Sequence, residues 1–164
     1  MAEQLAYGRS LAVRRQVDVL VAGGGPAGVA AALAARSQGC TVHVVEAHSC
    51  LGGMGTAGMV PAFMQFTDGV HFLAAGIGRT ILEGLRQRGG SFPADGYGIR
   101  AEVLKRTYED LLEEAGVGFT YHVQVVDAVV RDGWVDGLVC AGKSGMFAIR
   151  ARAVVDGTGD GAVA

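Results

Sequence analysis

Gly23, Gly25 and Gly28 have the spacing G-x-G-x-x-G within "GGGPAG", and a carboxylate, Glu46, follows 18 residues after Gly28. Each residue type suits one part of an adenine dinucleotide. The first glycine permits a tight turn, the second removes a side chain that would block a pyrophosphate, and the third lets a helix pack closely on the preceding strand. A helix opening at this turn aims its free N–H groups and the positive end of its dipole at the phosphates. Glu46 can accept hydrogen bonds from the adenosine ribose. Ala47, His48 and Ser49 follow it with no arginine among them, so a ribose 2′-phosphate would be repelled and FAD or NAD is favoured over NADP.

The flanking residues provide the elements such a turn needs. "VDVLVAG" (17–23) is a short run rich in β-branched residues that stops at glycine, which predicts a fully buried strand. "PAGVAAALAARSQ" (26–38) starts with proline in a first turn, is rich in alanine and is followed by Gly39, which predicts a helix. "TVHVVE" (41–46) predicts a second strand, parallel to the first. Further on, helices are expected at about 74–88, with Ile77, Ile81, Leu82 and Leu85 on one face, and at about 100–115, with Leu104, Tyr108, Leu111, Leu112 and Ala115 as the apolar stripe. "VGFTYHV" (117–123) reads as another parallel strand. The hairpin signals Asp132-Gly133 and "AGKSG" divide residues 123–151 into three antiparallel strands, after which "RAVVD" (152–156) returns to the main sheet. Residues 1–16 read as a flexible leader and 17–164 as one α/β domain.

A second glycine cluster, "LGGMGTAGMV" (51–60), follows the ribose position and leads into Pro61, Phe63, Met64 and Phe66. A nicotinamide dehydrogenase would be expected to enter another helix directly here. An apolar glycine-rich loop instead offers a lining for a flat ring, which favours flavin, although any single methionine or phenylalanine is as well explained as core. A third cluster ends the chain in "DGTGDG" (156–161). Together the three clusters hold 11 of the 27 glycines, so the excess over the usual share of about 7% is concentrated where a backbone must approach a ligand.

Composition excludes several other chemistries. A net charge of −2 and the lack of a basic stripe argue against nucleic-acid binding. Cys40, Cys50 and Cys140 form no C-x-x-C pair and read as reduced thiols of a cytoplasmic protein. The apolar stretch 17–35 contains Asp18, three adjacent glycines and Pro26, a poor membrane span. His43, His48, His71 and His122 lack metal-ligand spacing, and no P-loop or nucleophile elbow is present, so no metal is expected and no catalytic base is named.

In the order given, "DVLVAGGGPAGVAAALAARSQGCTVHVVEAHSCLGGMGTAG", "AEVLKRTYEDLLEEAGV", the hairpin region and "AVVDGTGDGAVA" resemble the N-terminal part of FAD-dependent oxidoreductases of the glutathione-reductase-like superfamily, over about residues 16–164. The resemblance implies a three-layer Rossmann-like FAD-binding domain with a parallel sheet and an antiparallel β-meander crossover, C-terminally incomplete. It implies that Gly23, Gly25, Pro26, Ala27 and Gly28 hold the pyrophosphate and Glu46 the ribose. Gly52, Gly53 and Thr56 would lie along the pyrophosphate and ribityl chain, the backbone near Val125 would meet adenine, and Gly157, Thr158, Gly159 and Asp160 would form a second turn over FAD. The family commonly places alanine where Gly157 stands. The same resemblance implies that the substrate domain and a flavin-covering segment lie elsewhere, so that the chain alone would hold flavin weakly, with a small organic substrate in the intact protein. Two alternatives stay open: a non-catalytic nucleotide-binding subunit whose partner chain completes the flavin site, with exposed apolar surface around 54–66, and a plain NAD-binding module.

Overall fold

The computed structural model describes residues 3–64, 66–93 and 96–163. Met1 and Ala2 of the leader, Gln65 of the apolar loop and Ala164 lie outside them. The first βαβ unit forms where the pattern places it: β1 (Val13–Ala22), α1 (Pro26–Ser37) and β2 (Val42–Val45). Strands β1 and β2 run parallel in the register Val19 to Val42 through Ala22 to Val45. The helices α2 (Ile77–Gln87) and α3 (Ala101–Ala115) follow, with a small antiparallel pair, β3 (Ser91–Phe92) and β4 (Gly98–Ile99), between them. Then come β5 (Gly118–Thr120), β6 (Gln124–Arg131), β7 (Trp134–Gly142) and β8 (Gly145–Asp156).

Six strands form one sheet in the order β5-β2-β1-β8-β7-β6. The first four are mutually parallel and the last three antiparallel. Alternation of side chains along β1 builds a core on each face. Val21 joins Val29 and Ala32 of α1, Ile81 and Leu85 of α2, and Leu104, Tyr108 and Leu112 of α3. Leu20 and Ala22 join Leu138 and Cys140 of β7 and Phe147, Ile149 and Ala151 of β8. Helices, parallel sheet and meander thus make three layers.

Two boundaries differ from the sequence pattern. Strand β1 begins at Val13, so residues 13–16, assigned to the leader, belong to the sheet, with Val13 opposite Ala148. The third meander strand and the returning strand are one element, because no turn residue separates Ala151 from Arg152. Residues 145–150 of β8 pair with β7, while Ala148–Asp156 pair with β1. One long strand therefore belongs to both layers and delivers Asp156 beside Ala22, at the end of β1.

Candidate functional site

Strand order decides what meets at the carboxyl edge of the sheet. Reading across β8, β1 and β2, the segments that leave these strands are Gly157–Asp160, Gly23–Gly25 and Glu46–His48, and they are joined by Val123, which follows β5, and by Gln124 and Val125, which open β6. They line a single cleft of about 610 Å³, together with Gly53 and Ala162. Crevices at the carboxyl ends of strands are where open α/β sheets bind ligands.

The first turn is shaped by glycine. Gly23 has φ of +90°, and a Cβ there would lie 2.5 Å from Gly157 O. A Cβ on Gly28 would run into Gly23 O, so helix and strand can approach this closely only without it. Gly25 differs from both, because a Cβ there would have only Gly157 O nearby, at 3.9 Å. The space in front of Gly25 is open. It is the N-cap of α1, Pro26 occupies the first helical turn, and no side chain caps the helix. That leaves the N–H groups of Ala27 and Gly28 to an outside acceptor, Pro26 having none.

Glu46 is buried, and its carboxylate is held at the mouth of the turn. Oε2 accepts from the Gly24 N–H at 2.6 Å. Oε1 accepts from the His48 N–H at 2.8 Å and lies 2.9 Å from His48 Nδ1, where the Nδ1–H tautomer donates to it. The segment itself is fixed by backbone bonds to the end of β5: Glu46 N–H to Thr120 O, His122 N–H to His48 O and Val123 N–H to Glu46 O. This zipper sets His122 beside His48 and Val123 beside Glu46.

The second turn is shaped by a side chain. Asp156 Oδ1 accepts from the Thr158 N–H at 3.0 Å and its hydroxyl at 2.6 Å, Oδ2 accepts from the Val163 N–H, and Thr158 Oγ1 accepts from the Ala162 N–H. Gly157 sits against the first turn: a Cβ would lie 3.2 Å from Ala22 O, Gly23 O and Gly28 Cα. Its departure from alanine relieves a three-way contact with the backbone. The glycine-and-acid spacing does not point to Asp156 or His48. An aspartate two residues before a threonine, where an apolar run ends, is the available turn signal for the first. For the second the signal is a histidine two residues past the carboxylate that ends the second strand.

Of the residues proposed from sequence, Gly23, Gly25, Glu46, Gly53, Val125, Gly157, Thr158 and Asp160 line the cleft. Gly159, with φ of +86°, is the exposed apex of the second turn. Gly52 closes the loop onto the first turn through its N–H to Gly24 O and caps a single 3-10 turn, Gly53–Gly55. Thr56 corrects the expectation: it is buried, and its hydroxyl donates to Leu51 O at 2.7 Å, so it shapes the loop and does not face the cleft. Phe66 is likewise core, clustered with Phe63, Phe72 and Tyr97 at centroid distances of 5.0–5.7 Å. His43 is buried with Nε2 2.9 Å from Thr120 Oγ1, and desolvation, helped by the Arg15 charge, pushes its pKa down to about 4. Among the described residues no cluster of His, Cys, Asp and Glu could hold a metal ion, and no helix is long and apolar enough to cross a membrane.

With this geometry in place, comparison with known proteins decides the family. A family model described as FAD dependent oxidoreductase matches residues 18–164. The chain belongs to that family. Its cofactor is FAD, and the open cradle at Gly25 together with the carboxylate beside it fits the diphosphate and ribose of that molecule. Among similar proteins are digeranylgeranylglycerophospholipid reductase 2 of Methanopyrus kandleri, 28% identical over 151 residues, which are 88% of this chain and 38% of the relative. A thiamine thiazole synthase of Methanococcus aeolicus is 29% identical over 154 residues, 88% of this chain and 55% of that one. The THI4 structure of Thermovibrio ammonificans matches with a TM-score of 0.61 at 25% identity, covering 87% of this chain and 57% of that one. The halogenase CndH shares the fold at 19% identity, with a TM-score of 0.65 over 87% of this chain and 37% of its own. The chain therefore spans about two fifths to three fifths of the length of these proteins.

Proposed function

We propose that this chain is the FAD-binding portion of a flavin-dependent oxidoreductase of the glutathione-reductase-like superfamily, which moves a hydride between a small organic substrate and the flavin. The observation that carries the reading is the Glu46 carboxylate bonded to the Gly24 N–H at the edge of a cradle that no side chain fills. In the proposed complex the N–H groups at the start of α1 and the backbone of Gly23 and Gly25 bind the diphosphate. Glu46 accepts from the adenosine ribose, the backbone near Val125 borders the adenine, and the turn at Gly157–Asp160 closes over the cofactor. FAD, when bound, supplies two-electron chemistry at its ring system. The chain's own residues bind and orient it, and Glu46 excludes a ribose 2′-phosphate by charge.

A second reading, a non-catalytic subunit completed by a partner chain, is favoured by Met54, Met59 and Met64, which are 63%, 83% and 70% exposed. Both readings leave the flavin ring to be covered by further polypeptide.

Calorimetry with ADP, FAD and NAD tests the site. Glu46→Ala is expected to weaken ADP and FAD by about 1–3 kcal/mol, the loss of a charged hydrogen-bonding partner. An unchanged dissociation constant would remove Glu46 from the ribose, and tighter binding of NAD than of FAD would overturn the choice of cofactor.

A further inference from the structure

A second cleft, of about 410 Å³, opens on the face of the sheet turned away from the helices. Arg14 and Arg15 of β1 both line it, although successive side chains on a regular strand point to opposite faces. A bulge explains the exception. Val13 pairs with Ala148 and Arg15 with Ile149, so two residues of β1 advance against one of β8 and the alternation is broken at Arg14. Arg14 is held in place: its guanidinium lies 4.1 Å from the centre of the Phe147 ring, and Nη1 donates to Ser144 Oγ at 2.9 Å. Among the described residues the Arg15 side chain has no hydrogen-bonding partner, and neither arginine meets a carboxylate. Nearby cations are treated differently, since Arg131 and Arg150 share Asp136 and Arg152 meets Asp18.

The floor adds polarity without an acid. His43 is buried, its Nε2 lies 2.9 Å from Thr120 Oγ1, and both residues line the cleft. Burial and the Arg15 charge hold this histidine neutral at physiological pH, so the charge of the cleft comes from the two guanidiniums. Val45, Phe147 and Ile149 supply an apolar wall. Adjacent cations with no acid between them repel each other until an anion joins them, and the planar fork of a guanidinium matches the oxygens of a phosphate. We propose that this cleft binds a small phosphorylated molecule, its phosphate held by Arg14 and Arg15 and its apolar body lying on Val45, Phe147 and Ile149. Val45 borders both clefts, but the arginines open β1, at the end of the strand away from Gly23. The two sites are therefore separate, and nothing in this one depends on which nucleotide the glycine turns hold.

Calorimetry at neutral pH with phenyl phosphate, inorganic phosphate and benzoate as probes tests the site in the unaltered chain, Arg15→Gln and Arg15→Lys. Arg15 is exposed, so neither substitution disturbs the core. Phenyl phosphate should bind more tightly than inorganic phosphate, which lacks the ring, and than benzoate, which carries a single charge. Arg15→Gln should weaken phenyl phosphate about tenfold or more, the loss of charge-assisted hydrogen bonds. Arg15→Lys keeps the charge without the fork and should fall between the two. ADP should bind alike to all three proteins, and the His43 ring resonances should shift when phenyl phosphate is added. No binding of phenyl phosphate would overturn the site, and so would equal affinity in Arg15→Gln, which would put the phosphate in the glycine cradle instead. Benzoate bound as tightly as phenyl phosphate would overturn the choice of phosphate, and inorganic phosphate bound as tightly would overturn the apolar body. Parallel losses of ADP and phenyl phosphate in Arg15→Gln would overturn the separation of the two sites.

Discussion

The two turns that meet at the mouth of the cleft perform one task by opposite means. The turn after β1 is shaped by what is missing: Gly23 and Gly28 have no Cβ because the backbone of Gly157 and of Gly23 itself occupies that space. The turn after β8 is shaped by what is present, the Asp156 carboxylate, which accepts from two backbone N–H groups and one hydroxyl of the segment that follows. Steric exclusion is rigid, with no partner to lose, and fails abruptly when any atom is added. A hydrogen-bonded turn fails gradually and can be partly restored. The difference places the most severe mutations on the first turn.

Gly28→Val should have the largest effect. Its Cβ falls on Gly23 O, at a point where β1, α1 and the second turn are all in contact, so relief requires separating helix from sheet. The expected loss is at least about 4 kcal/mol, the range of severe overpacking in a core. Urea unfolding monitored by circular dichroism would report it, or soluble protein would fail to accumulate. Near-native stability would show that the first turn is not sterically defined, and the contrast between the turns would collapse.

Asp156→Ala should be milder. It removes acceptors from the Thr158 and Val163 N–H groups, all near the surface where water can replace them, so about 1–2 kcal/mol is expected. ADP binding should weaken with it, because Thr158 and Asp160 line the cleft. Asp156→Asn keeps one acceptor oxygen and should recover part of both effects. Equal behaviour of the two variants would mean that the negative charge, and not the hydrogen-bonded shape, is what the turn requires.

The same division explains what could be read from the sequence. Sterics at glycine leave a mark, since Gly23, Gly25 and Gly28 have a spacing with one physical meaning, and the run 17–22 with Pro26 behind it fixes strand and helix around them. The α3 stripe was legible for a similar reason: Leu104, Tyr108 and Leu112 recur at the helical period and are all fully buried. Hydrogen-bonded shape leaves a weaker mark. Asp156 resembles any aspartate at a strand end, Thr56 resembles any cleft hydroxyl until its bond to Leu51 O is seen, and His48 gains meaning only once β5 is known to lie beside β2. Strand continuity leaves none. Nothing at Ala148–Arg150, where β8 pairs with both neighbours, marks the passage from β7 to β1, because pairing partners are chosen by the sheet and not by the strand. Val13–Gln16 likewise read as leader, since their place opposite Ala148–Arg150 depends on a segment more than a hundred residues away.

The smallest effect isolates the backbone from the side chains of the second turn. Gly159 has φ of +86°, but a Cβ there would meet nothing within 4 Å, in contrast to Gly23, which has nearly the same φ and a carbonyl at 2.5 Å. Gly159→Ala therefore carries only the conformational penalty of a left-handed residue, about 1 kcal/mol, while Gly23→Ala carries that penalty together with a clash. Measured side by side by thermal unfolding, the two substitutions should differ by well over the Gly159 value, with ADP affinity nearly unchanged in Gly159→Ala. If both cost the same, left-handed backbone alone would account for the glycines of the cleft, and the close approach of the two turns would add nothing.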